Sequence, residues 1–135
     1  MQQQIRLSKP EDAYKKQGVL TSSPIELIIL LYDALKKNLL MAKRYIGKGN
    51  TESAHKHLIK AQDIVSELLN CLDMSFSLSK ELMSLYEFML AKLAEANAAK
   101  DAELLEPVMT MVDELRETWK EVAETQKGTM TFGEG

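Results

Sequence analysis

The sequence predicts an all-α protein, an antiparallel four-helix bundle with a flexible N-terminal arm, and three observations carry that reading. Apolar residues recur at spacings of three and four through four separate stretches, the period of one helix face. No stretch alternates at the period of two that a half-buried strand requires. The breaks between stretches are short and built from Gly, Asn, Asp and Ser, so consecutive helices must double back on one another.

The organising stretch runs from Ser22 to Ile46. Ser23 can cap its start, Pro24 suits the first helical position, and Glu26 stands where a capping box needs a carboxylate. At about 100° per residue, Ile28, Leu31, Tyr32, Leu35, Leu39, Ala42 and Ile46 share one face. Leu27, Leu30, Ala34, Met41 and Tyr45 form a second apolar stripe beside it, and only a narrow arc around Asp33, Lys37 and Arg44 is built for water. A helix this apolar sits inside a bundle or lends one stripe to a partner.

Residues 1–22 read as an arm: Pro10 to Gln17 can form a short helix, with Tyr14 as the obvious anchor, but too few apolar groups are present to hold it without a docking surface. After the first helix, Gly47-Lys48-Gly49-Asn50 is a turn in which Asn50 can cap a second helix from Thr51 to about Leu72. Its seam is Ala54, Leu58, Ala61, Val65, Leu68 and Leu72, with Ile59, Ile64 and Leu69 off the seam. Ser77 can cap a third helix from Leu78 to about Ala99, with Leu82, Leu85, Tyr86, Met89, Leu93 and Ala96 on one face. Asp101 caps a fourth, whose Leu105, Val108, Val112, Leu115, Trp119 and Val122 again repeat at three and four. Pro107 cannot sit well inside that helix, so the sequence predicts a kink there or a late start at Glu106. The bundle then spans residues 23–125, and the aperiodic residues 126–135 are expected to be a disordered tail.

Composition excludes several classes of function. A formal charge of −3, from 17 basic and 20 acidic residues, leaves no basic footprint for nucleic acid. The single Cys71 cannot pair within the chain, which suits a reducing cytoplasm. Met1 to Leu7 lacks the basic start and apolar run of a secretory signal, so the expectation is a cytoplasmic protein. The longest apolar run, Leu27 to Tyr32, is too short to insert in a membrane. A metal centre in such a bundle needs two Glu-x-x-His motifs. Glu52-Ser53-Ala54-His55 is one, and the other histidine, His57, points about 200° away on the same helix. Neither a metal, a cofactor nor a catalytic residue is therefore expected, and the two histidines read as solvated helix residues. There is no Gly-rich phosphate loop, no Gly-x-Ser-x-Gly and no Cys-x-x-Cys.

What is left is apolar surface beyond one seam per helix: Leu27, Leu30 and Met41 on the first helix, Ile59 and Ile64 on the second, and Met83, Phe88 and Leu90 on the third, with Met109 on the fourth. A wide core could absorb these residues. Eight methionines favour the other reading, a surface that accepts an amphipathic helix, because flexible thioethers adapt to such partners. A homodimer that covers the same stripes is the alternative.

Several stretches, taken in this order, form a specific signature. They are Tyr14-Lys15-Lys16-Gln17-Gly18-Val19-Leu20-Thr21-Ser22-Ser23-Pro24-Ile25-Glu26-Leu27, then Leu30-Leu31-Tyr32-Asp33-Ala34, and Leu58-Ile59-Lys60-Ala61-Gln62-Asp63-Ile64-Val65-Ser66-Glu67-Leu68. Leu85-Tyr86-Glu87-Phe88-Met89, Leu93-Ala94-Glu95-Ala96-Asn97 and Leu115-Arg116-Glu117-Thr118-Trp119-Lys120 complete the set. Together they resemble the FliS family of flagellin export chaperones over roughly residues 13–125, and the resemblance implies a cytoplasmic helical bundle that binds the C-terminal segment of flagellin, prevents its polymerisation and delivers it to the flagellar type III export gate. It also implies, by position, that Tyr14, Val19 and Leu20 of the arm cap part of the client groove.

Overall fold

The structure, a computed structural model, describes residues 24–134, with side chains through residue 125. The capping role of Ser23 and the arm residues Tyr14, Val19 and Leu20 lie outside the described residues. Four long helices follow one another without a strand among the described residues: α1 (Pro24–Gly47), α2 (Thr51–Asn70), α3 (Ser77–Ala99) and α4 (Glu106–Glu134), with a 3₁₀ turn over Ala102–Leu105 before the last. No helix among them is long and apolar enough to cross a membrane.

The turns follow local chemistry. Gly49 takes φ +75° between α1 and α2, a conformation that costs glycine little. Asn50 then caps α2 by accepting from the Ser53 amide at 3.1 Å. Helix α3 starts one residue earlier than its sequence signals: Ser77 is helical, Phe76 occupies the cap position without a side-chain bond, and the Ser79 hydroxyl reaches back to the Asp73 carbonyl at 2.6 Å. At the other end of α3, Lys100 turns left-handed at φ 52°, where Gly or Asn is usual, and its ammonium donates to the Asn97 carbonyl at 2.6 Å.

Asp101 caps the 3₁₀ turn through the Glu103 amide at 3.0 Å. Pro107 produces the late start and not the kink: α4 begins at Glu106, so proline falls in the first turn, where its missing N–H has no intrahelical partner to lose. The tail departs from expectation, because helical backbone runs on to Glu134. The sequence argument asked for an apolar period, but extending an existing helix needs no new nucleus and no buried face.

Most of each seam read from periodicity lies in the core, with Ile46, Leu72, Leu85, Leu115 and Trp119 half-buried against it and Val122 outside it. Leu31, Tyr32, Leu35, Leu39 and Ala42 of α1 pack with Leu58, Ala61, Val65 and Leu68 of α2, Leu82, Tyr86, Met89, Leu93 and Ala96 of α3, and Leu105, Val108 and Val112 beyond. Helix α1 packs extensively against both α2 and α4, and α2 also against α3. Helix α3 meets the 3₁₀ turn closely but hardly touches α4 itself. The bundle is thus tight on three sides and slack on the fourth.

Two polar devices fix α1 relative to its neighbours. Inside, the Trp119 indole donates to the Tyr32 hydroxyl at 2.9 Å, and that hydroxyl shares a 2.6 Å hydrogen bond with Tyr86, linking α4, α1 and α3. Burial pushes the Tyr32 phenol up to about 12 and Tyr86 higher still, so both hydroxyls stay neutral. Outside, Asp33–Arg116, Lys36–Asp113 (2.6 Å) and Lys43–Glu106 (2.8 Å) pair α1 with α4, each step forward on α1 matched by an equal step back on α4. Such exposed pairs stabilise little individually, yet together they specify the antiparallel register.

Cys71 is 2 % exposed where α2 ends, and burial together with Glu67 pushes its thiol up to about 12.

Tyr32→Phe leaves the Trp119 N–H and the Tyr86 hydroxyl without their common partner and should cost about 1–3 kcal/mol in urea unfolding. Tyr86→Phe, which leaves Tyr32 the bond from Trp119, should cost less. Equal losses would show that the linkage does not run through Tyr32.

Candidate functional site

Interhelical contacts assign each flank of each helix. On α2, His57 meets α1, donating Nδ1–H to the Asn38 Oδ1 at 2.8 Å, an oxygen that can only accept, while the Asn38 amide nitrogen donates to the Ala34 carbonyl at 2.8 Å. Tyr45 stacks on the His57 ring, with centroids 5.6 Å apart. On the opposite flank of α2, His55 Nδ1 lies 3.0 Å from the Asn97 amide nitrogen and 3.2 Å from its Oδ1, a hydrogen bond to α3. The two histidines diverge as their spacing requires, but they act as interhelical hydrogen-bonders and not simply as solvated residues.

These contacts distribute the residues singled out from sequence over three surfaces. Leu27, Leu30 and Met41 follow the α1–α2 seam, and the 100° spacing puts Ile64 on the α2 flank that faces it. This seam is the most closely packed, and it leaves the least room: Leu27 is 4 % exposed, so it is core in the free protein and not the surface residue expected, while Leu30, Met41 and Ile64 are half-buried, Ile64 against the main core.

Ile59 belongs to the second surface, the α2–α3 groove. It is 40 % exposed and shares a shallow pocket with His55, Gln62, Ala94, Asn97 and Lys100. Met83 and Leu90 lie on the same flank of α3 and are half-buried, Leu90 against the core. Three small residues, Ala91, Ala94 and Ala98, keep that rim low.

Phe88 stands apart from the others. It is 41 % exposed, and its position on α3 opposite the Asn97 flank directs it to the slack side toward α4. Lys92 lies over its ring, 5.7 Å from the centroid. Sequence reasoning missed the loop before α3, where Met74, Phe76 and Leu78 are 45–56 % exposed. Their lack of helical period hid them, although consecutive apolar side chains in a break were the available signal.

A family model described as "Flagellar protein FliS" matches residues 7–126 of this chain. The chain belongs to the FliS family. Among its relatives, the flagellar secretion chaperone FliS of Bacillus subtilis (strain 168) is 31% identical over 123 residues, covering 91% of this chain and 92% of that protein. The FliS of Vibrio cholerae is 29% identical over 116 residues, covering 82% and 85% of the two chains. A solved structure described as a flagellar chaperone from bacteria superposes with a TM-score of 0.73 at 17% identity, covering 84% of this chain and 97% of that one, and supports the bundle fold.

Several residues through which the chain resembles FliS are packing residues: Tyr32, Leu68, Tyr86, Met89 and Leu93 are all buried. Asn97 is different, a half-buried residue whose side chain bridges α3 to His55 at the pocket.

Phe88→Glu and Ile59→Glu should leave urea stability within about 1 kcal/mol, because both side chains already meet water. Ile64→Glu should cost about 2 kcal/mol or more, since it places a carboxylate against the core. A stable Ile64→Glu protein would move Ile64 from the packing residues to the free surface.

The His57 contact has a pH signature. Burial, with Lys60, Lys37 and Lys56 nearby, holds its imidazole below the ordinary histidine value. As pH falls the unfolded chain therefore takes up this proton first. The stability contributed at His57 is full above the ordinary histidine range and is lost as pH drops through the folded-state value. Urea midpoints across that range should fall on acidification, and His57→Gln should flatten the fall.

Proposed function

We propose that this FliS-family chain is a cytoplasmic export chaperone that binds the C-terminal segment of flagellin, prevents its premature polymerisation and hands it to the flagellar type III export gate. One observation carries the physical side of the reading. A bundle with a closed core still exposes Ile59 and Phe88 on two separate flanks, each about two-fifths accessible. Apolar side chains placed beside helix seams suit a client that arrives unfolded and lays amphipathic helices along the bundle, using positions three and four apart as anchors. Family membership supplies the identity of that client, through the relatives named as flagellar secretion chaperones.

The physics of the task favours such a surface. A segment that folds on binding loses several kcal/mol to ordering, so a long contact over more than one groove is needed for tight binding. Ile59 and Phe88 on different flanks fit a wrapped client better than a single short groove does. No cofactor, metal or nucleic acid enters the proposal.

Calorimetry with a flagellin C-terminal segment should give a strongly negative heat-capacity change, together with a gain of helical circular dichroism beyond the sum of the free partners. A segment that bound without acquiring helix would contradict coupled folding. A chain that only self-associated and ignored flagellin would replace the chaperone with the homodimer.

A further inference from the structure

The outer surface of α1 and α2, near the turn that joins them, is basic in a chain that is acidic as a whole. Between Ala34 and Gln62 the sequence holds seven Lys or Arg residues and a single carboxylate, Glu52, against a formal charge of −3 for the chain. Lys36 and Lys43 pair sideways with Asp113 and Glu106 of α4. The other five, Lys37, Arg44, Lys48, Lys56 and Lys60, are exposed and have no carboxylate within ion-pair distance among the described residues.

Helical spacing gathers these five on one surface. Lys37, Arg44 and Lys48 fall within about 40° of one another on the face of α1 that turns away from the core. Lys56 and Lys60 lie equally close together on the outer face of α2. Between the two rows His57 stacks on Tyr45, and burial, then Lys60, Lys37 and Lys56, holds its imidazole below the ordinary value. Cations of both helices therefore act on one ring, and the rows form a single patch. From Lys37 to Lys48 it is about 17 Å long.

Charge and position decide what can cover it. The chain's own residues 1–22 carry Arg6, Lys9, Lys15 and Lys16 against Glu11 and Asp12, so they would add positive charge to positive. The start of α1 and the end of α4 also lie at the other end of the bundle, as its antiparallel order requires. An apolar stripe finds no groove here, because the seam beneath is filled by the Tyr45–His57 stack and half-buried Met41 and Ile64. A broad anionic sheet or long polyanion would meet Glu52 at one edge of the same face and Asp63 and Glu67 beyond Lys60. A short acidic stretch fits between those carboxylates.

We propose that the outer face of α1 and α2 binds an acidic segment of a partner protein other than the flagellin client, through Lys37, Arg44, Lys48, Lys56 and Lys60. The patch is polar and lies over a closed seam, away from exposed Ile59 and Phe88, so an apolar client and an acidic partner can be held together.

The probe is a labelled peptide of about twelve residues alternating Glu and Ser, long enough to cross the patch as a helix or extended. Added to the full chain at an ionic strength of about 0.01 M, it should raise fluorescence anisotropy, and it should weaken toward about 0.15 M as the screening length falls from about 30 to about 8 Å. The two histidines of the chain serve as reporters in NMR: His57 ring resonances should move, and those of His55 on the other flank should not. Lys37→Gln with Lys60→Gln should weaken the peptide about tenfold. Lys80→Gln with Lys120→Gln removes the same net charge elsewhere and should cost less than about twofold.

Equal losses from the two pairs reduce the effect to net charge and overturn the patch, as does a peptide that leaves His57 unmoved. Phosphatidylserine vesicles or a short single-stranded DNA that bind through Lys37 and Lys60 where the peptide does not give the face to another class of partner, and the proposal falls. Displacement of the peptide by a flagellin C-terminal segment returns the face to the client. Self-association at low salt that is lost with Lys37→Gln and Lys60→Gln gives it to a second copy. Either result overturns the acidic partner and leaves the chaperone reading standing.

Discussion

The hydroxyl of Tyr32 is the point on which the bundle turns. It accepts the Trp119 N–H and shares a second hydrogen bond with Tyr86, so one buried polar atom ties α1 to the two helices that otherwise hardly meet. Buried polar groups of this kind add little net stability when satisfied, but they penalise every arrangement that leaves them unpaired. Rotating α4 by one residue about its axis, or sliding it by one turn, would strand all three groups. The ion pairs along α1 and α4 repeat the same instruction at the surface. Register is therefore specified twice, by unlike forces.

That double specification explains how one side can stay slack without the bundle loosening. With α4 held by α1, and α3 held by α2 and by the 3₁₀ turn, contact between α3 and α4 is not required for the fold. Apolar side chains on that side can remain partly exposed, where in a closed bundle they would be consumed by packing. The α1–α2 seam shows the contrast, because the stacked Tyr45–His57 pair and the buried Leu27 fill it.

Periodicity made the core legible almost residue by residue, since a seam of threes and fours has one geometric solution on a helix. Pro107 located the start of α4 for an equally local reason. Flanks were harder. Spacing alone says that Ile64 and Ile59 differ in angle, but which neighbour each faces depends on the order of helices around the bundle, and that is set by long-range packing. The same gap hid Trp119: its seam position was plain, while its place at the floor of an opening required knowing that α3 and α4 stand apart. Histidines misled for another reason, since an exposed side chain on one helix becomes a partner only when a second helix brings an amide to it.

Cys71 has a practical meaning for anyone who handles this protein. Its thiol is enclosed and held protonated at neutral pH, so it is a poor nucleophile toward maleimides and a poor partner for air oxidation. A cysteine introduced at an exposed position such as Ser84 would then be the one reactive thiol, and a dye or spin label could be attached there with the native residue left in place. The interior has, in effect, already done the protecting-group chemistry.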